Sequence, residues 1–279
     1  REHHFSDDIL KGLEGDGYSL VKLINNTAEP AIARATAIEY LERFPLEVFE
    51  SELSNWARDS SGLVRLELAK FTYNLPLEYK AGIAGMLLKD KLRAVRLAAF
   101  RSLLLSYNEL SETSKKNWRS AEPEYLEFLL HNADFKEGQQ NLAQYYSAKQ
   151  NPEMAIASFE KAIKIDSLFN EPYRNLAVTQ SQVGQNKKAL NTLNALIQKF
   201  PEDERAYYLR SLLHAEENQL SEASEDISVA LELNPNPRYF YNAILIEQKL
   251  GNVSNASQLL AKALSKYPND RGLQQLQIN

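Results

Sequence analysis

The sequence of 279 residues contains no cysteine. This absence excludes disulfide bonds, thiolate metal sites, thiol nucleophiles and cysteine-linked haem within the chain. No run of apolar residues approaches the ~18–20 needed to span a bilayer, so we expect no membrane insertion. The formal net charge of −5 gives no electrostatic support for nucleic-acid binding. No signal peptide is visible, and because the chain starts at Arg1 we expect it to have been cut or processed.

Motifs that mark common catalytic sites are also missing. There is no phosphate-binding Gly-x-x-x-x-Gly-Lys-Ser/Thr loop and no His-Glu-x-x-His. Of the four histidines, His3 and His4 are adjacent at the chain start, while His131 and His214 are far apart, which does not suit a zinc site. We therefore predict no metal, no cofactor and no enzymatic activity. A hydrolase or transferase in the N-terminal part is a third hypothesis, after the two given below.

One pattern recurs about every 34 residues in the second half of the chain. Its fixed point is an alanine, found at Ala155, Ala189, Ala223 and Ala256. Apolar residues follow each alanine after four and seven positions, namely Phe159, Leu193, Ile227 and Leu260, then Ala162, Leu196, Ala230 and Ala263. Twelve positions after each alanine stand Ser167, Pro201, Pro235 and Pro268. Such a period predicts stacked helix pairs, in which the alanine lets two helices pack closely and the proline ends the second helix.

This pattern resembles the tetratricopeptide repeat, or TPR, family. The resemblance covers residues 136–279 and implies an array of four repeats. It also implies that the first helix of each pair lines a concave groove and that the protein binds other proteins or peptides.

A second period of 31 residues occurs in the first hundred residues. It relates Arg34, Arg65 and Arg96, and also relates Pro45 to Pro76. The segments around these positions resemble short HEAT-like repeats, over residues 1–109. We therefore predict an all-α, right-handed α-solenoid of helix-turn-helix repeats, HEAT-like followed by TPR, with about 14 helices and no sheet.

Residues 110–135 lie between the two arrays and are rich in aromatic and apolar side chains. Pro123 predicts either two short helices or one kinked helix. Ser111 and Ser120 are candidate N-caps. We interpret the segment as bridging helices, since a flexible tether would be rich in glycine and serine.

The candidate site lies on the first helices of the last three TPR-like repeats. Residues in the phase expected to face the groove are Arg174, Asn175, Arg205, Tyr208, Arg238, Tyr241 and Asn242. Arginine is suited to carboxylates and asparagine to a peptide backbone, so we predict an acidic or C-terminal peptide as the ligand. The alternative is a solvated face with ion pairs between neighbouring helices, for example Glu171 with Arg205. Gln140 and Gln144 stand where the family's carboxylate clamp has lysine and asparagine, which does not support a clamp for chaperone tails.

The order of HEAT-like units, bridging helix and TPR units also resembles the C-terminal part of bacterial multihaem cytochrome c proteins with TPR tails. Two hypotheses follow. The first is a non-catalytic protein-interaction scaffold. The second is a helical docking or assembly domain of a larger periplasmic redox protein, and this resemblance favours a periplasmic or exported location over the cytoplasm.

Overall fold

The computed structural model describes residues 5–277, and it divides the chain into two compact units, residues 1–130 and 131–279. The described residues form 17 α-helices and no strand, which confirms the all-α class. The structure has more helices than the about 14 predicted. Three of them, α1, α4 and α17, which are defined below, are not specified by either repeat period. His3 and His4 lie outside the described residues.

The first unit consists of helices joined by short 3-10 turns. The helices are α1 (Phe5–Leu13), α2 (Gly17–Asn25), α3 (Ala31–Tyr40), α4 (Leu53–Trp56), α5 (Gly62–Phe71), α6 (Leu77–Leu87), α7 (Arg93–Leu103) and α8 (Glu112–His131), the last of which ends one residue beyond the unit. The 3-10 turns at 41–43 and 72–74 each end one residue before the residue that precedes Pro45 or Pro76. That intervening residue, Phe44 or Leu75, has extended backbone because a following proline disfavours helix.

The three arginines of the 31-residue period form an ordered series of ion pairs in the first unit. Arg34 pairs with Asp59, Arg65 with Asp90, and Arg96 with Glu124. Each arginine also donates to a backbone carbonyl: Arg34 to that of Ile24 in α2, and Arg65 and Arg96 to those of Asp59 and Asp90 in the turns before their helices. Because Arg34 and Arg65 are only 3% and 5% exposed, these bonds supply the partners that buried charges need. The 31-residue period therefore marks arginines that each form an ion pair with a carboxylate further along the chain.

The acidic partners have depressed pKa values. Burial acts to raise the pKa of Asp90, but hydrogen bonds from Arg65 and from the Leu92 N–H outweigh it and leave the pKa below its ordinary value. The hydrogen bond from Arg96, aided by its charge, lowers the pKa of Glu124 despite some burial. Both carboxylates are therefore held in their ionised form.

This linkage predicts a loss of stability in acid. The contribution of Asp90 and Glu124 is fully present above their unfolded pKa values, near 4, and is lost as the pH falls through the lower folded values. We expect the urea midpoint of the first unit to fall between pH 5 and 3, less steeply in Glu124→Gln than in wild type. Tryptophan emission is the measurement, since Trp56 and Trp118 are the chain's two tryptophans and both lie in this unit. Equal slopes in wild type and Glu124→Gln would contradict the assignment, and Glu153→Gln, at an exposed site, is the matched control.

Helix α8 continues through Pro123, so of the two predicted alternatives the structure has a single helix and not two short ones. Ser111 does accept a hydrogen bond from the Ser114 N–H, as an N-cap would, whereas Ser120 lies inside the helix. The helix is held by aromatic packing: the Trp118 and Tyr125 rings each lie 4.4 Å from the Phe100 ring of α7. This packing offsets the backbone bond that Pro123 cannot make.

The second unit is an array of four helix pairs and a short final helix. The pairs are α9 (Lys136–Ala148) with α10 (Pro152–Ile165), α11 (Asn170–Gln182) with α12 (Asn186–Lys199), α13 (Glu204–Glu216) with α14 (Leu220–Leu233), and α15 (Pro237–Lys249) with α16 (Val253–Lys266). Helix α17 (Arg271–Gln274) follows. All four repeat alanines, Ala155, Ala189, Ala223 and Ala256, are 0% exposed, as their close-contact role requires.

The turn inside each helix pair contains one residue with positive φ at the same position. These residues are Gln150, Gly184, Asn218 and Gly251, with φ of 55°, 74°, 59° and 79°. Glycine, as at Gly184 and Gly251, adopts this left-handed conformation without strain. Gln150 and Asn218 adopt the same left-handed conformation, so the turn keeps its geometry in the two repeats that lack glycine at this position.

Candidate functional site

The first helices of the pairs, α9, α11, α13 and α15, carry the predicted groove, and α11 contacts α13 directly. Two adjoining clefts lie on this face, with volumes of about 560 and 210 Å³, and both are lined by Leu212 and Glu216. Val178 and Leu209 line the smaller cleft, and Leu245 lines the larger. We call these two clefts the inner groove. Its floor is apolar and remains partly exposed to solvent.

Three of the predicted residues come together beside the larger cleft. The Asn242 Nδ2 atom donates to the Tyr208 hydroxyl at 3.1 Å and to the Arg238 carbonyl at 2.9 Å. The Arg238 guanidinium lies over the Tyr208 ring, 5.2 Å from its centre, and Tyr239 stacks on the same ring at 4.5 Å. Tyr208 is 5% exposed, so it supports Arg238 and Asn242 rather than offering its own ring to a ligand.

Arg174 is already paired inside the protein. Its guanidinium forms an ion pair with Asp203, whose side chain also caps α13 by accepting the Ala206 N–H at 3.1 Å. Asn170 donates to the same carboxylate at 3.2 Å. This arrangement links α11 to the start of the next repeat, so Arg174 acts mainly as a structural residue.

The other predicted residues differ in their access to solvent. Arg205 is exposed, and its nearest carboxylate is that of Glu204, 3.9 Å away. The ion pair between Glu171 and Arg205, suggested in the alternative interpretation, does not form. The Glu171 carboxylate instead accepts a hydrogen bond from Gln140 at 2.9 Å. Tyr241 is exposed and Asn175 is half-buried. Among the predicted residues, the accessible cations are therefore Arg205 and Arg238. Arg205 lines a separate cleft with Arg174 and Asp203, whereas the exposed Lys249 lines the larger cleft of the inner groove.

A buried charge network between α13 and α14 was not predicted. Arg210 donates to both Asp226 oxygens, at 2.7 and 2.6 Å, and the His214 Nε2 atom lies 3.8 Å from the same carboxylate. This hydrogen bonding raises the pKa of Arg210. In TPR repeats leucine is common at the position of Arg210. This replacement was the only sign of the charge network in the sequence. The network joins the two helices of one pair and lies outside the inner groove.

Over the part of the chain that the structure describes, no group of three or more histidine, aspartate or glutamate side chains is placed to hold a metal ion. None of the described helices combines the length and apolar character that a membrane span needs.

The class of protein follows from the second unit, which is an α-helical repeat array with an open groove along its first helices. The family model of the tetratricopeptide repeat matches residues 137–167 and 204–237, which are the first and third repeats. These repeats are thus TPR repeats, as predicted. No curated protein matches the chain by sequence.

Several solved structures are similar to parts of the chain. One is MamA from Desulfovibrio magneticus RS-1, with 19% identity and a TM-score of 0.47 over 63% of this chain and 97% of that one. Another is a tetratricopeptide repeat protein from Parabacteroides merdae, with 21% identity and a TM-score of 0.47 over 68% and 69% of the two chains. The first TPR domain of human RPAP3 has 19% identity and a TM-score of 0.37 over 48% and 98%. None of these likenesses bears on function.

Proposed function

We propose that the chain is a non-catalytic scaffold that binds a partner protein or peptide in the inner groove. The observation that carries the proposal is an apolar floor, formed by Leu209, Leu212 and Leu245, that no other part of the described chain covers. Accessible apolar surface of this kind, rimmed by polar groups, is typical of an interaction site.

The accessible cations of this unit favour an acidic or C-terminal segment as the ligand, and one of them, Lys249, lines the larger cleft. Arg205 and Arg238 present forked donors that suit a carboxylate. Gln248 illustrates how this face accepts a peptide backbone, since its Nε2 atom donates to the Gln277 carbonyl at 2.7 Å. Apolar side chains of the ligand would contact the floor, and its carboxylates would meet the two arginines.

A titration with matched variants tests the proposal. A peptide would first be selected from a display library on the immobilised protein and then measured by fluorescence anisotropy. We expect Arg205→Ala/Arg238→Ala to weaken binding about tenfold at low salt, with a smaller difference at high salt, because exposed charges are screened. Leu245→Ser should weaken binding equally at both salt concentrations, since the lost contact is apolar.

The control is Lys187→Ala/Lys188→Ala, which removes two exposed charges from α12. It should leave the affinity close to that of wild type. If the arginine variant, the leucine variant and the lysine control all bind equally well, the inner groove is not the site, and the proposal is wrong.

We also propose that the first unit is HEAT-like, with the boundary near residue 109 and bridging helices over 110–135. The support is the 31-residue spacing of Arg34, Arg65 and Arg96 together with their equivalent bonding. The role as a docking domain of a periplasmic multihaem cytochrome stays a prediction. Haem-binding motifs encoded upstream of Arg1 would decide in its favour.

A further inference from the structure

A second cleft lies in the first unit, between the turns that follow α3 and α5. It has a volume of about 270 Å³ and is distinct from the inner groove. Buried apolar residues form its floor, namely Leu41, Phe49, Phe71 and Leu75. Half-buried Phe44 and Leu46 form its rim together with Glu42, Asn74 and Pro76. We call it the first-unit cleft. It is smaller than the 300–1,000 Å³ usual for drug-sized ligands, so it suits one large side chain.

The floor of the first-unit cleft is held rigidly. Phe49 contacts the Phe71 ring edge-on at 5.5 Å and the Trp56 ring at 6.5 Å. On the rim, the Asn74 Nδ2 atom donates to Glu42 at 2.7 Å, which ties the turn after α5 to the turn after α3.

The surroundings of the first-unit cleft are acidic. The Tyr79 hydroxyl donates to Glu50 at 2.5 Å, which raises the pKa of Tyr79, and the nearby charges of Glu78 and Glu47 raise it further. The charges of Glu47 and Glu78 thus act on the same hydroxyl that donates to Glu50, and Glu42 adds a fourth carboxylate on the rim. Among the described residues, none of the four forms an ion pair.

The nearby cations do not neutralise this charge. Arg43 lies over the Tyr40 ring and Lys80 lies over the Tyr73 ring, each at 5.5 Å from the ring centre. Both are engaged by aromatic faces rather than by the glutamates. A negative field thus surrounds an apolar cleft, and it will favour basic partners over acidic ones.

We propose that the first-unit cleft is a docking site for a partner-protein segment in which one large apolar side chain is flanked by lysine or arginine. The apolar side chain enters between Phe44 and Leu46 and contacts the aromatic floor. The flanking cations meet Glu47, Glu50 and Glu78. This ligand has the opposite charge to the one proposed for the inner groove, so the two units bind chemically different segments.

The test uses a fluorescein-labelled peptide, Gly-Lys-Lys-Phe-Lys-Lys-Gly, titrated against the full chain at low salt. A second peptide replaces the phenylalanine by serine at the same charge. We expect saturable binding of the first peptide and at least about fivefold weaker binding of the second, because the serine peptide loses the apolar contact. Equal affinities would show non-specific attraction between charges and would overturn the proposal, as would the absence of saturable binding of the first.

Two double variants locate the site. Glu47→Gln/Glu50→Gln keeps hydrogen-bond acceptors but removes two charges, and we expect it to weaken binding of the phenylalanine peptide about fivefold. Glu153→Gln/Glu160→Gln removes two exposed charges from α10 and should bind like wild type. Equal weakening by both pairs would show that net charge alone attracts the peptide, and no weakening by the first pair would place the site elsewhere. Thermal melts followed by far-ultraviolet circular dichroism, which reports on the helices of both units, check that each variant remains folded.

Discussion

Replacing Ala223 by aspartate is expected to lower the free energy of unfolding by several kcal/mol, about 3–5, and to unfold much of the second unit. Ala223 is 0% exposed and lies in a core cluster with Tyr208, Ile227 and Ala230. At neutral pH the new carboxylate would have no partner in this contact and would force α13 and α14 apart. Far-ultraviolet circular dichroism during thermal unfolding is the measurement.

The same change at Ala189, in the preceding repeat, should have a similar effect because that residue is also 0% exposed. The matched control is Ala261→Asp on α16, where the alanine is exposed. We expect the control to melt within a few degrees of wild type, since surface substitutions change stability by about 0.5 kcal/mol or less. A melting temperature of Ala223→Asp equal to that of Ala261→Asp at neutral pH would show that Ala223 is not at a close helix contact.

Replacing Arg65 by methionine is expected to destabilise the first unit by about 3–5 kcal/mol. The change leaves Asp90, whose side chain is 7% exposed, without its ion-pair partner. It also removes the donor to the Asp59 and Ser60 carbonyls, at 2.6 and 3.2 Å. Urea unfolding followed by tryptophan emission reports on this unit.

A double variant separates the lost pair from lost packing. Arg65→Met/Asp90→Leu removes both charges, so it should recover a large part of the stability that Arg65→Met loses. Arg58→Met, at an exposed arginine, is the control and should be close to wild type. If Arg65→Met unfolds at the same urea concentration as Arg58→Met, the buried ion pairs do not hold the helix pairs together.

The helical repeats could be predicted from the sequence because they depend on local chemistry that recurs. Each element of the repeat pattern acts locally. The small residue at Ala155 and its equivalents allows close helix packing, the apolar residues four and seven positions later share its face of the helix, and the terminal proline ends the helix. The helix through Pro123 could not be predicted in the same way. Its continuity depends on rings of Trp118 and Tyr125 that stack on Phe100, a residue outside the helix.

The candidate site was predicted only in part. Tyr208, Arg238 and Asn242, which the repeat phase puts on one face, contact one another, because residues in equivalent positions of stacked helices become neighbours. Whether they bind a ligand stays a prediction. The position of a residue within the repeat does not show with which neighbouring group its side chain will form a hydrogen bond or ion pair. Arg174 has the same phase as a ligand-binding residue, yet it pairs with Asp203 in the following turn.

The sequence by itself determined the class of fold and the 34-residue period of the second unit, since spacing along a helix fixes the direction of each side chain. Only the tertiary structure decided which arginines are already paired, and it alone brought Phe44 and Leu46 to one cleft with Glu42. The physical reason is that pairing and burial depend on residues about 30 positions apart, whose meeting depends on how successive helix pairs stack.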